Sequence, residues 1–152
     1  MSSAVQPLLS ENEEFGFSAH HRISWSEYMR YRPIYPDSFF RRIYEYYGGS
    51  PGACWSTAHD VGAGNGIVSS NLATKFDHVV VSDPNDGYNE TARELLDEKS
   101  GLPESKFVFL KEPAEHSSVE AGTVDLITAC ECMHWTDTVT RALVEGLELS
   151  HI

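Results

Sequence analysis

One stretch of seven residues, Asp60-Val61-Gly62-Ala63-Gly64-Asn65-Gly66, limits the possible folds more than any other part of the chain. It follows Thr57–Val61, which reads as a short strand, and precedes residues Ile67 to Phe76, which read as a helix. Strand, glycine loop and helix in that order bring bare backbone close to a ligand, while the helix N-terminus offers free N–H groups. A dinucleotide fingerprint needs glycine at the first, third and sixth positions, but the sixth here is Ile67, so the pattern is G-x-G-x-G and NAD is disfavoured. Asp60, at the end of the strand, complements a ligand portion that is positively charged.

The same rhythm continues downstream. His78 to Ser82 predicts a second strand ending at Asp83-Pro84, and Tyr88 to Lys99 a helix with Ala92, Leu95 and Leu96 facing inward. Lys106 to Leu110 and Val124 to Ala129 predict a third and a fourth strand, followed by a helical stretch from about Thr136 to Leu149. Strands alternating with helices imply an α/β fold with a mostly parallel sheet. Upstream, Pro36 opens a helix carrying Phe39, Phe40, Ile43, Tyr44 and Tyr47 at helical spacing, with Gly48-Gly49 as a left-handed stop. Residues 1–22 are polar and aperiodic and read as a flexible leader, leaving 23–152 as a single domain. Asp83 closes the second strand, where a carboxylate can accept hydrogen bonds from both ribose hydroxyls of a nucleoside. The run Asp83-Pro84-Asn85-Asp86-Gly87 also reads as a plain turn.

Composition narrows the function classes. A chain of 152 residues with 41% hydrophobic content can bury one core. Its 23 acidic against 11 basic residues give a formal charge of -12, which repels nucleic acid and anionic membranes. No run approaches the roughly 18 apolar residues of a membrane span, and the N-terminus lacks the pattern of a secretory signal, so a cytoplasmic protein is expected. Three cysteines argue against a disulfide framework. Cys130, Cys132 and His134 alternate and would share a face if extended, but no fourth ligand stands nearby and no metal is expected.

Taken together, WSEYMRYRPIYP, DVGAGNG, VVVSDPN, PAEHSS and VDLITACECMHW resemble the class I S-adenosylmethionine-dependent methyltransferases, and more narrowly the trans-aconitate methyltransferase-like group acting on small molecules. The likeness spans roughly residues 25 to 137 and weakens after Thr138. It implies a Rossmann-like three-layer sandwich with strand order 3-2-1-4 and S-adenosylmethionine as cofactor. Asp60, Gly62, Gly64 and Gly66 would then hold the methionine and ribose portions, Asp83 the ribose hydroxyls, and Glu115 would lie beside the adenine. Ala129 and Cys130 would line the cofactor at the end of the fourth strand. Tyr28, Arg32 and Tyr35 would form an N-terminal lid, Tyr28 toward the cofactor and Tyr35 toward substrate. His134 and Arg32 would be the catalytic pair, with Trp135 beside the acceptor. For Tyr28 and Trp135 the alternative is plain packing, for His134 a satisfied loop histidine, and for Glu115 a solvated acid.

Relative to that family the sheet is incomplete on its C-terminal side. The fourth strand is then expected to be a bare edge: either a second copy, in a homodimer, or another chain covers it, or the chain is a truncated version of a longer enzyme. Three functions stay open: methyl transfer to the carboxylate or hydroxyl of a small molecule, a non-catalytic binding or partner subunit, and isomerase or cyclase chemistry on the same fold.

Overall fold

A computed structural model describes residues 30–31, 34–99 and 101–133. It contains helix α1 (Asp37–Gly48), strand β1 (Thr57–Val61), helix α2 (Ile67–Leu72), strand β2 (His78–Ser82), helix α3 (Asp86–Arg93), strand β3 (Phe107–Leu110) and strand β4 (Leu126–Thr128). The four strands form one sheet in the order β3-β2-β1-β4, and every pairing is parallel. Their C-terminal ends therefore share one edge, the edge where open α/β sheets bind ligands.

The register separates the two faces. Asp60 pairs with Val81 and with Thr128, so these side chains lie on one face together with Ala58, Val79 and Leu126. His59 pairs with Val80 and Ile127, and Val61 with Ser82, on the reverse face. The main core lies on the first face, where Ala58, Val79, Val81 and Phe107 join Phe40 of α1, Val68 and Leu72 of α2, and Ala92 of α3 in one buried cluster. On the reverse face Val108 is 49% exposed.

β1 and β2 have the bounds expected from sequence, whereas several other elements depart from it. α2 ends at Leu72, and residues 73–75 form a turn that leaves Thr74 and Lys75 exposed and buries Phe76, instead of extending the helix. Phe76 is thereby brought against Trp55 and Tyr47, at centroid distances of 5.0 and 5.9 Å, and the amides of Asp77 and His78 bond back to the carbonyls of Trp55 and Ser56 to start β2. α3 begins two residues earlier than expected, capped by the Asn85 side chain, and continues as a π-helical turn over Glu94–Lys99. Lys106 lies in a 3₁₀ turn, so β3 starts at Phe107. Gly48 and Gly49 do not make a left-handed stop: Gly49 has φ -74°, and the left-handed glycine is Gly52 at φ +83°.

β4 is the shortest strand, and its continuation is not extended. Glu131 adopts φ +57°, a left-handed value that breaks the alternation of Cys130 and Cys132. At the opposite end of the strand, the Asp125 carboxylate accepts the amides of Ser56 and Thr57 at 3.1 and 2.8 Å, tying β4 to the start of β1. The expected leader, the helix after Thr136, and Tyr28, Arg32, His134 and Trp135 lie outside the described residues. Among the described residues no helix is long and apolar enough to cross a membrane.

Candidate functional site

The turn from β1 into α2 requires glycine for two different reasons. Gly62, Gly64 and Gly66 have φ of +62°, +55° and +80°, values that side chains seldom tolerate. At Gly62 space is also the limit, since a Cβ would sit 2.7 Å from Cys132 Sγ. At Gly64 the nearest atoms to such a Cβ belong to the Tyr88 ring at 3.8 Å, ordinary contact.

The loop is held by its neighbours. The Ala63 amide donates to the Ser82 carbonyl (2.9 Å), the Gly64 amide to Asp83 Oδ2 (3.0 Å), the Gly66 amide to the Ala63 carbonyl (3.0 Å) and the Ile67 amide to Asn65 Oδ1 (3.2 Å). These loop amides and the first amide of α2 are thus satisfied internally. What the loop presents is close access to the backbone.

Two carboxylates flank it. Asp83 is 6% exposed; its Oδ1 accepts the Asn85 amide at 2.9 Å and its Oδ2 the Gly64 amide. Burial raises its pKa, and those two amides oppose the rise by stabilising the anion. An ionised carboxylate has about four acceptor sites, so two hydrogen bonds leave capacity for hydroxyl donors. Asp60, 1% exposed, accepts the Ser69 hydroxyl at 2.6 Å and the Thr128 hydroxyl at 2.9 Å. Burial pushes its pKa up to about 6; the Ser69 and Thr128 bonds pull it down, and the charge of Asp83 raises it further. Asp60 and Asp83 thus stand at the same end of adjacent parallel strands, joined by the glycine loop.

Asp60, Gly62, Ala63 and Asn65 line a recess of about 10 Å³, with Tyr35 on one side and Cys130 on another. That volume holds about one water. Tyr35 stacks on Phe39 of α1 at 4.8 Å, which holds its ring beside the recess. Cys132 donates to the Val61 carbonyl at 3.2 Å, and burial, reinforced by Asp60, Cys130 and Asp83, lifts its thiol to about 11, so it stays protonated. On the reverse face His59 Nε2 and Ser82 Oγ lie 2.8 Å apart, both buried. Burial lowers the His59 pKa, against an opposing pull from Glu112. Glu115 is half-buried in the 3₁₀ turn Ala114–His116 beyond β3, and Ala129 follows β4 directly.

Of the residues expected at a site, the structure gathers Tyr35, Asp60, Gly62 and Cys130 around the recess, with Gly64 and Asp83 beside it. Sequence reasoning missed Asn65, Ser69, Tyr88, Thr128 and Cys132. The available signal for Thr128 was a hydroxyl closing an otherwise aliphatic strand, Leu126-Ile127-Thr128. For Ser69 nothing distinguished it from a surface helix residue.

Comparison with known proteins shows the family and the fold. Residues 59–148 match the family model described as "Methyltransferase domain", which continues past Thr138, where the sequence resemblance weakened. The chain is 41% identical over 142 residues to the methyltransferase gedG of Aspergillus terreus, covering 93% of this chain and 42% of that protein. It is 39% identical over 122 residues to the methyltransferase nsrG of Aspergillus novofumigatus, covering 80% and 44%. The chain thus spans less than half the length of these relatives. A solved structure from Anaeromyxobacter dehalogenans, assigned there as a type II methyltransferase, superimposes with a TM-score of 0.57 at 30% identity, covering 76% of this chain and 43% of that one. A SAM-dependent methyltransferase from Leishmania major shares the fold with a TM-score of 0.58 at 21% identity, over 80% of this chain and 52% of the other.

Proposed function

This chain belongs to the methyltransferase domain family, and from that membership together with the site geometry we propose that it uses S-adenosylmethionine to methylate a small-molecule acceptor. The observation that carries this reading is the placement of Asp60 and Asp83 on one edge of the sheet, with a tight glycine loop between them. Such a pair suits a ligand that has a diol at one end and a positive charge at the other. In this reading Asp83, preset by the Gly64 and Asn85 amides, takes the ribose hydroxyls, while Asp60 faces the cationic amino acid end. The recess of about 10 Å³ is too small for a nucleoside, which would lie outside it near Gly64, with Glu115 toward the adenine and Ala129 and Cys130, just after β4, lining the cofactor.

When bound, S-adenosylmethionine supplies an electrophilic methyl group on a sulfonium, and transfer disperses that positive charge. Positioning then does most of the work. Tyr35 would exclude water from the mouth, a role that the family resemblance also gives to Tyr28. A carboxylate acceptor needs no base and would be oriented by Arg32 as a bidentate clamp. A hydroxyl acceptor would need His134 as general base, with Trp135 beside it. The pH dependence of transfer separates the two, because only the hydroxyl route falls as a histidine is protonated.

Calorimetric titration with S-adenosylmethionine tests the cofactor assignment directly. Asp83→Ala is expected to weaken binding roughly a hundredfold, as two charge-assisted hydrogen bonds are lost. Equal affinity in the two proteins would remove the ribose role of Asp83.

A further inference from the structure

The carboxylate of Asp60 is held from two sides by elements distant in sequence. Ser69 of α2 is fully buried and donates to Oδ2 at 2.6 Å; Thr128 at the end of β4 is 7% exposed and donates to Oδ1 at 2.9 Å. Thr128 is the direct register partner of Asp60, so its hydroxyl is delivered by the parallel pairing of β1 with β4. Buried hydroxyls need partners, but a serine or threonine in these positions could have bonded a nearby backbone carbonyl instead. Here both converge on one acid. Burial favours the neutral acid, and donors aimed at its oxygens favour the anion. The two hydroxyls therefore oppose what the core alone would do to Asp60.

We propose that Ser69 and Thr128 are positioning residues that keep Asp60 anionic and fixed in direction, and that through Asp60 they set how strongly the site holds the cationic amino acid end of its cofactor. The inference rests on the cofactor reading above. Neither residue touches the cofactor in this scheme. The titratable groups that face Asp60 are Asp83, beyond the end of β2, Cys132, after β4, and Tyr35 and Cys130, which line the same recess. Cys132 stays protonated across the useful pH range. Asp83 titrates too, but it serves the ribose, which every nucleoside ligand carries. His59 lies on the reverse face of the sheet, and its protonation acts on the strands regardless of the ligand.

A pair of ligands separates these contributions. S-adenosylhomocysteine carries the amino acid end, and methylthioadenosine has the same nucleoside without it. From about pH 5 to about pH 8 the affinity for S-adenosylhomocysteine should rise more steeply than that for methylthioadenosine, as Asp60 ionises. Thr128→Val, which keeps the shape and removes the donor, should weaken S-adenosylhomocysteine about tenfold near pH 7 while changing methylthioadenosine less than about twofold. Thr128→Ser restores the donor and should recover wild-type affinity to within about twofold. Ser69→Ala should act in the same direction as Thr128→Val.

The Asp60 carboxyl can also be titrated without ligand by isotope-edited infrared spectroscopy. Its midpoint should move up in Thr128→Val and return in Thr128→Ser. A midpoint unmoved in Thr128→Val overturns the proposal, as does an equal loss of both ligands in that variant. Failure of the wild-type chain to bind either nucleoside would remove the cofactor reading and this inference together. Wild-type binding of both ligands with no difference in their pH dependence would remove this inference alone.

Discussion

Replacing Asp60 with asparagine should stabilise the protein at neutral pH while weakening its hold on the cofactor. The side chain is 1% exposed and its pKa is raised from 3.8 to about 6, so the folded state keeps a proton that the unfolded chain releases. Between those values the folded state binds more protons, and its stability falls as pH rises through the window. The full difference corresponds to about 3 kcal/mol above pH 6, of which only about 1 kcal/mol is present near pH 4.5. Asparagine fits the same space and retains both contacts. Its carbonyl accepts one hydroxyl, and its amide donates to the oxygen of the other. Asp60→Asn should therefore gain about 2 kcal/mol relative to wild type between about pH 4.5 and about pH 8, read from urea denaturation at each pH. Calorimetry on the same samples should show weaker S-adenosylmethionine binding at pH 8. A stability gap that does not change with pH would refute the account of Asp60 as a strained buried acid.

Two other substitutions probe the neighbouring strands. Gly62→Ala combines a φ of +62° with a Cβ 2.7 Å from Cys132 Sγ, and it should cost about 2–4 kcal/mol and abolish cofactor binding; a thermal melt within a degree or two of wild type would show that the loop relaxes freely. His59 is held neutral by burial, with a folded pKa below 6.5, so its contribution is complete above pH 6.5 and is lost as pH falls through the folded value. This opposes the Asp60 effect, and His59→Gln isolates it: the stability of wild type relative to this variant should decline below about pH 6.5, and a constant difference would contradict a buried neutral imidazole.

Much of this site was legible in the order of residues alone. Asp60-Val-Gly-Ala-Gly-Asn-Gly66 is local chemistry, because the three left-handed turns demand glycine whatever surrounds them. The aliphatic run of β2, and the short stretch of β1 between the Ser50-Pro51-Gly52 turn and the glycine loop, are bounded by residues that end strands, so their limits were read correctly. With two strand ends and a parallel sheet known, Asp60 and Asp83 had to share an edge. Helix ends were harder to read. α2 stops at Leu72 because Phe76 is drawn onto Trp55, a residue more than a dozen positions earlier, and α1 closes on a right-handed Gly49. Neither contact leaves a trace in local propensity.

The sequence by itself determined the alternation of strands and helices, the loop and the two acids, since each follows from backbone conformation or from short-range periodicity. Only the tertiary structure decided the charge on Asp60 and the shape around Gly62. Those depend on Thr128, 68 residues from Asp60, and on Cys132, 71 residues from Val61, brought in by the pairing of β1 with β4. A carboxyl's ionisation is set by the solvent it loses and the donors it gains, and both are properties of packing.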